Sequence, residues 1–418
     1  MKRSIQSLAV ALILVLWVVS GLSAQNYTTS IEVKGLDKPQ GIAVAPNGLV
    51  YFTELPEPGK SGGKNTVSVY DPTHSLVRLI VAGEPAPTNI SVTSSGDFYW
   101  TCQTAGVILM RKANGTSNIL VKSGLNNCVG LSVTDTGTVY FTQVPTPGKS
   151  GGMNTVSMLQ GSAVVDLSTG EPEPVDVVAD SNGNLYWTCR TAGVILRRDA
   201  VTTQKTKVFS NLRSPAGIAM DDNGAVYFTE VPSPGSKGSM NAVWKWDPGT
   251  ENLTLINYGD PEPVDVAVSR NGNAIYWTCR SAGVIAKATM TGSSADVIAS
   301  GTTRPGDKVA LTFRAAGDAN RFYQAATSFG RGPIAVDTRH VPLGLDPLFI
   351  LSVENRLGPA LGGYAGSLDS QGQASGEIRL PDVAALIGLE LYTGFVTLDG
   401  SAPSGIHTIS SAYRMAIG

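Results

Sequence analysis

Six residues with side-chain oxygens recur at fixed places in a repeating pattern. Asn89, Asp176 and Asp265 each stand two residues after a proline, in Pro87-Thr88-Asn89, Pro174-Val175-Asp176 and Pro263-Val264-Asp265. Glu54, Gln143 and Glu230 each close a second string, in Tyr51-Phe52-Thr53-Glu54, Tyr140-Phe141-Thr142-Gln143 and Tyr227-Phe228-Thr229-Glu230. Carboxylates and amides are hard oxygen donors, and a cation such as Ca²⁺ takes about six to eight of them. The carboxylates also suit general acid-base work. Tandem duplication copies any residue that caps a strand or satisfies a loop amide, so structural roles for all six stand beside the metal reading.

The elements that would hold these groups are set by the repeat itself. Gly41, Gly130 and Gly217 open three matching units, each leading through a Gly-containing turn into Tyr-Phe-Thr. Between them lie Tyr99-Trp100-Thr101-Cys102, Tyr186-Trp187-Thr188-Cys189 and Tyr276-Trp277-Thr278-Cys279. Successive motif tyrosines are roughly 40–50 residues apart, the length of one four-stranded propeller blade. Asn47-Gly48, Asn182-Gly183 and Asn223-Gly224 supply the positive-φ residues of strand-to-strand turns. The spacing predicts an all-β chain, with a six-bladed β-propeller of three two-blade repeats over 25–302. In such a ring the first strand of a blade begins on the face where the second ends, so the six polar groups are expected on one face around the axis. The outermost strand of the last blade is open between 30–34 and 295–299.

The motifs also carry a resemblance, over about residues 27–300. Tyr-Trp-Thr-x followed by Val-Ile resembles the YWTD-type blade, with Cys in place of the acidic residue. Asn47-Gly48-Leu49-Val50-Tyr51-Phe52-Thr53-Glu54 is similar to blades of the NHL, gluconolactonase-like (senescence marker protein) and virginiamycin B lyase-like propellers. Gluconolactonase-like hydrolases use Glu, Asn and Asp at comparable positions, which implies a metal-dependent hydrolase with Asn89, Asp176, Asp265, Glu54 and Glu230 as ligands and acid-base groups. The lyases rely on a histidine at the active face. The propeller histidine here, His74, lies in the turn Asp71-Pro72-Thr73-His74, remote from the motif ends.

Cysteines and basic loops complete the candidates. Cys102, Cys189 and Cys279 occupy equivalent places in alternate blades, too far apart for direct bonding. Cys128 opens the third blade beside the strand of Cys102, so a Cys102–Cys128 disulfide is expected in an oxidising compartment. Long loops at 55–64, 144–153 and 231–240 extend the polar face. Lys60, Lys64, Lys149 and Lys237, with Arg190 and Arg280, could there meet an anionic or sugar ligand. Solvated turns are the plainer account of the same loops.

Composition narrows the remaining classes. The chain is 42% hydrophobic and 15% charged, with 47 glycines and 24 prolines, as short strands and tight turns require. A net charge of -2 without a block of like charges speaks against nucleic acid as a partner. Lys2 and Arg3, an apolar run from Leu8 to Val19 and small residues up to Ala24 read as a secretory signal peptide over 1–24. The mature protein is then exported and not membrane-spanning. Residues 303–418 alternate apolar runs, among them Phe349–Val353, with Gly/Asp/Ser turns, and are expected to form a small C-terminal β-sandwich-like accessory domain. A helical turn is expected within 380–387. The leading functional expectation is a binding or scaffold protein for a protein, glycan or small ligand.

Overall fold

A computed structural model describes residues 22–23, 27–56, 65–145, 154–232, 241–290, 295–337, 339–402 and 404–418. The segment 1–24 expected to be a signal peptide, apart from 22–23, and Lys60, Lys64, Lys149 and Lys237 lie outside the described residues. Among the described residues no helix is long and apolar enough to cross a membrane. The chain divides into two compact units. One comprises Thr29–Val243 with Tyr258–Thr289, and the other Met1–Thr28, Trp244–Asn257 and Met290–Gly418.

The first unit is built on six innermost strands: Pro39–Val44, Pro87–Val92, Cys128–Val133, Pro174–Ala179, Pro215–Met220 and Pro263–Val268. Each pairs antiparallel with the strand that carries its Tyr-[Phe/Trp]-Thr motif. Each innermost strand packs against the next, and Pro263–Val268 returns to Pro39–Val44, so the series closes on itself. The motif aromatics explain the packing: Phe52, Trp100, Phe141, Trp187, Phe228 and Trp277 are all fully buried. Burying one such ring contributes about 2–3 kcal/mol. The N-terminal strand Tyr27–Lys34 forms the outer edge of the sheet of Pro263–Val268, Ala274–Cys279 and Val284–Met290. Ala295–Ser300 pairs instead with Lys308–Ala315 in the second unit.

Most strands of the second unit fall in two sheets, and Ile334–Val336 pairs with Arg339–Val341 in a separate ribbon. Ala295–Ser300, Lys308–Ala315, Gln373–Arg379 and Leu361–Gly362 form one. In the other, the C-terminal strand Ala412–Ala416 lies between Glu390–Leu398 and Asn252–Tyr258. Phe313 centres the core, with ring centroids 5.4 Å from both Tyr323 and Phe395 and 6.0 Å from Tyr364. Phe349–Val353, read above as strand-like, belongs to the helix Pro347–Val353. The signal was Asp346-Pro347: the Asp346 side chain accepts the Phe349 amide at 3.0 Å as N-cap, and proline suits the first helical turn. A 3-10 turn spans Ala384–Leu386, within the expected 380–387.

Candidate functional site

The motif threonines tie the ring together. In five repeats the threonine Oγ1 accepts an amide from its own innermost strand: Gly41 to Thr53, Asn89 to Thr101, Gly130 to Thr142, Asp176 to Thr188 and Gly217 to Thr229, at 2.8–3.2 Å. The hydroxyl then donates to a carbonyl of the next innermost strand, as Thr101 does to Val129 at 2.9 Å and Thr188 to Ala216 at 2.6 Å. Thr278 donates to Gln40 at 2.5 Å and so joins the last repeat to the first. A buried hydroxyl with both functions satisfied is a reason for threonine at every repeat.

Asn89, Asp176 and Asp265 are brought together on the axis, each at least nine-tenths buried. The glycines of the alternate repeats make the room. A Cβ on Gly41, Gly130 or Gly217 would stand 2.5–2.6 Å from the Cα of Asn89, Asp176 or Asp265 respectively. Asn89 Nδ2 donates to Asp176 Oδ1 at 3.1 Å. Asp176 also accepts the amides of Val177 at 2.9 Å and Ile218 at 3.0 Å. Asp265 accepts those of Val266 and Ile42, both at 2.8 Å. Burial pushes both carboxyls up, Asp176 to about 7 and Asp265 well above the usual carboxylate range, where the nearby Asp176 charge adds to the effect. The pair therefore holds a proton that either carboxyl alone in water would release.

Glu54, Gln143 and Glu230 are turned to other work. Their Oε1 atoms accept the amides of Asp37 at 2.8 Å, Asn126 at 2.8 Å and Arg213 at 2.5 Å. Each thereby fastens the loop that leads into its own innermost strand. Among the described residues no group of three His, Cys, Asp or Glu side chains is placed to hold a metal ion. Arg190 pairs with Glu173 at 3.0 Å, and Arg280 with Glu262. At the turns of the hairpins, Arg270 Nη2 donates to both carboxylate oxygens of Asp135, at 2.8 and 2.9 Å, joining the hairpins of Cys128–Val133 and Pro263–Val268.

A third set of groups was not singled out from the sequence. Glu84, Glu171 and Asp260 each accept the indole N–H of the motif tryptophan, from Trp100 at 3.5 Å, Trp187 at 3.3 Å and Trp277 at 2.8 Å. The cysteine thiol two residues on donates to the same carboxylate, at 3.4 Å for Cys102, 3.8 Å for Cys189 and 3.7 Å for Cys279. The signal was present as Gly-[Glu/Asp]-Pro-x-Pro, in 83–87, 170–174 and 259–263. Asn65, Asn154 and Asn241, at the ends of the long loops, each donate to the backbone carbonyl of that acidic residue at 2.7 Å.

The expected Cys102–Cys128 disulfide is corrected: all four cysteines are free and buried. Cys102 packs with Trp100 and Ile90 in one core cluster, while Cys128 packs with Ile108, Leu131 and Phe141 in another. Burial raises every thiol, Cys189 to about 12, with the neighbouring carboxylate adding to it in the motif cysteines. A thiol that cannot ionise is a poor nucleophile. The native protein is therefore expected to resist iodoacetamide at pH 8 and to take up four labels once unfolded. Rapid labelling of the native chain, or two labels after unfolding without reductant, would contradict this arrangement.

No family model matches the chain, and no curated protein matches it. Solved structures do. A gluconolactonase from Xanthomonas campestris superposes with a TM-score of 0.53 at 13% identity, over 65% of this chain and 92% of the other. A putative gluconolactonase gives 0.50 at 10% identity, over 65% and 94%. A streptogramin B lyase gives 0.46 at 17% identity, over 65% and 100%. At these identities the likeness to the two gluconolactonase structures shows the fold alone, and the fold is a β-propeller.

Proposed function

We propose that this is an exported, six-bladed β-propeller with a β-sandwich accessory domain, and that it is a binding or scaffold protein. Its ligand, a protein, glycan or small molecule, is taken on the face that carries the long loops 55–64, 144–153 and 231–240. The observation that carries this reading is the occupation of five of the six candidate oxygen groups. Asp176 and Asp265 each accept two backbone amides, and Glu54, Gln143 and Glu230 each accept one. A carboxylate so engaged would have to abandon those bonds to ligate a cation, at a cost of about 1–3 kcal/mol for each amide left unpaired. Loops on a rigid scaffold are the usual place for recognition, and here the paired asparagine clamps fix where each loop ends. The leader supports export, and the charge balance supports a partner other than nucleic acid.

The gluconolactonase-like, Ca²⁺-dependent hydrolase is the second reading, favoured by the meeting of Asn89, Asp176 and Asp265 on the axis. Thermal melts in millimolar Ca²⁺ and in EDTA separate the two, because a ligand bound only to the folded state raises its stability by RT ln(1 + [L]/Kd). The expected result is the same melting temperature in both. A rise of several degrees in Ca²⁺ that is lost in Asp176→Asn would establish the second reading instead.

A further inference from the structure

Exposed apolar side chains of the second unit gather at one end of it. In the sheet that holds Phe322–Ser328 and Glu390–Leu398, Thr327 lies opposite Thr393 and Ser328 opposite Tyr392. The residue after Ser328 and the residue before Glu390 therefore emerge at the same end. They are Phe329, 51% exposed, and Leu389, also exposed. The Gly344 amide donates to the Gly330 carbonyl at 2.6 Å, which brings Leu345, 59% exposed, to the same place. The turn that precedes Leu389 adds Val383 and Ile387, the latter 58% exposed. Single exposed apolar side chains are ordinary, whereas several gathered together mark a contact surface.

The chemistry of this end favours one kind of contact. From Val383 to Leu389 the chain reads Val-Ala-Ala-Leu-Ile-Gly-Leu, without one polar side chain. The amides of Val383, Leu386, Ile387 and Leu389 donate within the turn at 2.8–3.1 Å, and that of Gly388 donates to the Ile417 carbonyl at 2.8 Å. Apolar side chains over a backbone bonded to itself suit a hydrocarbon boundary, because lipid offers no partner to a free amide. A protein partner is held with about one hydrogen bond per 100–200 Å² of interface, and no side chain of this turn can form one. The Leu380 amide donates to the Asp307 carbonyl at 2.9 Å and so sets the loop at 304–307 beside the turn. Arg304, Lys308 and Arg379 are exposed on this rim, with Asp382 as the exposed acid beside them. Lys308 and Arg379 share one carboxylate, Glu377, while the Asp307 carboxylate accepts the Arg304 amide at 2.9 Å. Asp346 is likewise engaged, accepting the Phe329 amide at 2.7 Å.

We propose that this end of the second unit docks on the surface of a lipid bilayer. Val383, Ile387, Leu389, Phe329 and Leu345 enter the boundary between headgroups and acyl chains, and Arg304, Lys308 and Arg379 stay at the phosphates. Segments held in that boundary enter it by about 5–10 Å, and their hold grows with the apolar area buried and with attraction to anionic lipid. The attachment is peripheral and needs no spanning helix.

Co-sedimentation of the full chain with vesicles of phosphatidylcholine and phosphatidylglycerol tests this. The wild type is expected in the vesicle pellet, with less of it there at high salt or on pure phosphatidylcholine. Ile387→Asp and Phe329→Asp, on separate segments, are each expected to weaken partitioning by about tenfold or more, the effect of withdrawing one large apolar side chain from the boundary. Their melting temperatures should match the wild type, because the side chains they replace are exposed. A local probe separates this end from the apolar leader. Leu345→Cys carrying a nitrobenzoxadiazole label should brighten and shift to the blue on vesicles, and the same label on Val201→Cys, at an exposed turn of the first unit, should not. A wild type that stays in solution, partitioning untouched by both substitutions, or a label at 345 that responds no more than one at 201 would each overturn the proposal. So would a lipid-free dimer, seen by sedimentation velocity, that Ile387→Asp abolishes, since a second copy would then cover this end.

Discussion

Asp265→Asn is expected to flatten the dependence of stability on pH and to reverse the ranking of variant and wild type between acid and alkaline solution. Asp176 and Asp265 are buried on the propeller axis, and burial raises both, Asp176 to about 7. An unfolded aspartate titrates near 4. Because the folded carboxyls hold their protons more tightly, the stability they contribute is present in full below about pH 4 and is lost as pH rises through 7. Each extra bound proton makes that slope about 1.4 kcal/mol per pH unit. Asparagine removes one of the two acids and relieves the repulsion on the other. It also sets an amide group against either the Val266 or the Ile42 N–H, both of which Asp265 now accepts at 2.8 Å. That mismatch costs about 1–3 kcal/mol at every pH. The wild type should therefore melt higher near pH 5 and the variant equal or higher at pH 9. Melting temperatures taken in parallel from pH 5 to 9 check this, and a constant difference between the two proteins would refute the shared proton.

The axial trio was legible because duplication wrote it three times. Asn89, Asp176 and Asp265 recur at one place in the repeat, and Gly41, Gly130 and Gly217 at the place between. That alternation is steric: the glycines leave the space that the polar side chains fill. Glu54, Gln143 and Glu230 recur as regularly, yet their oxygens serve the loops. Repetition marks a position as constrained without saying by what. Glu84, Glu171 and Asp260 were passed over because each lies in a proline-rich turn about 18 residues before its cysteine, with only the fold to join them. Cys128 misled for the opposite reason. It lies near enough to Cys102 for one thiol to raise the other, yet both are free. The second unit offers no internal copies, so Pro347–Val353 looked like one more apolar strand until its N-cap was considered.

Arg414→Met is expected to damage the second unit well beyond an ordinary surface substitution, and nothing in the sequence pattern marks it. Arg414 is 8% exposed and lies on the C-terminal strand between two others. Its Nε reaches Glu251 Oε2 at 3.1 Å, its Nη1 lies 3.7 Å from Glu390 Oε1, and its guanidinium stands 5.7 Å over the Trp246 ring. Trp246 Nε1 also donates to Glu251 Oε2 at 3.2 Å, and the Tyr392 hydroxyl donates to Glu390 Oε2 at 2.7 Å. Burial already raises Glu251, and Arg414 is the chief influence opposing that rise. Methionine keeps much of the volume but removes the guanidinium that faces Glu251 and Glu390. Breaking a fully buried pair costs about 3–5 kcal/mol, and because the Glu251 side chain is 35% exposed the loss here is expected nearer about 2–3 kcal/mol, between that figure and a surface pair. Lysine should recover only part of the loss, since a point charge cannot serve two carboxylates and stack on the indole as a planar fork does. The triple variant Arg414→Met, Glu251→Gln, Glu390→Gln should recover more than half of it. Denaturant unfolding followed by Trp fluorescence measures all three, and a loss below about 1 kcal/mol for Arg414→Met, the size of a surface pair, would mean that water already reaches this site.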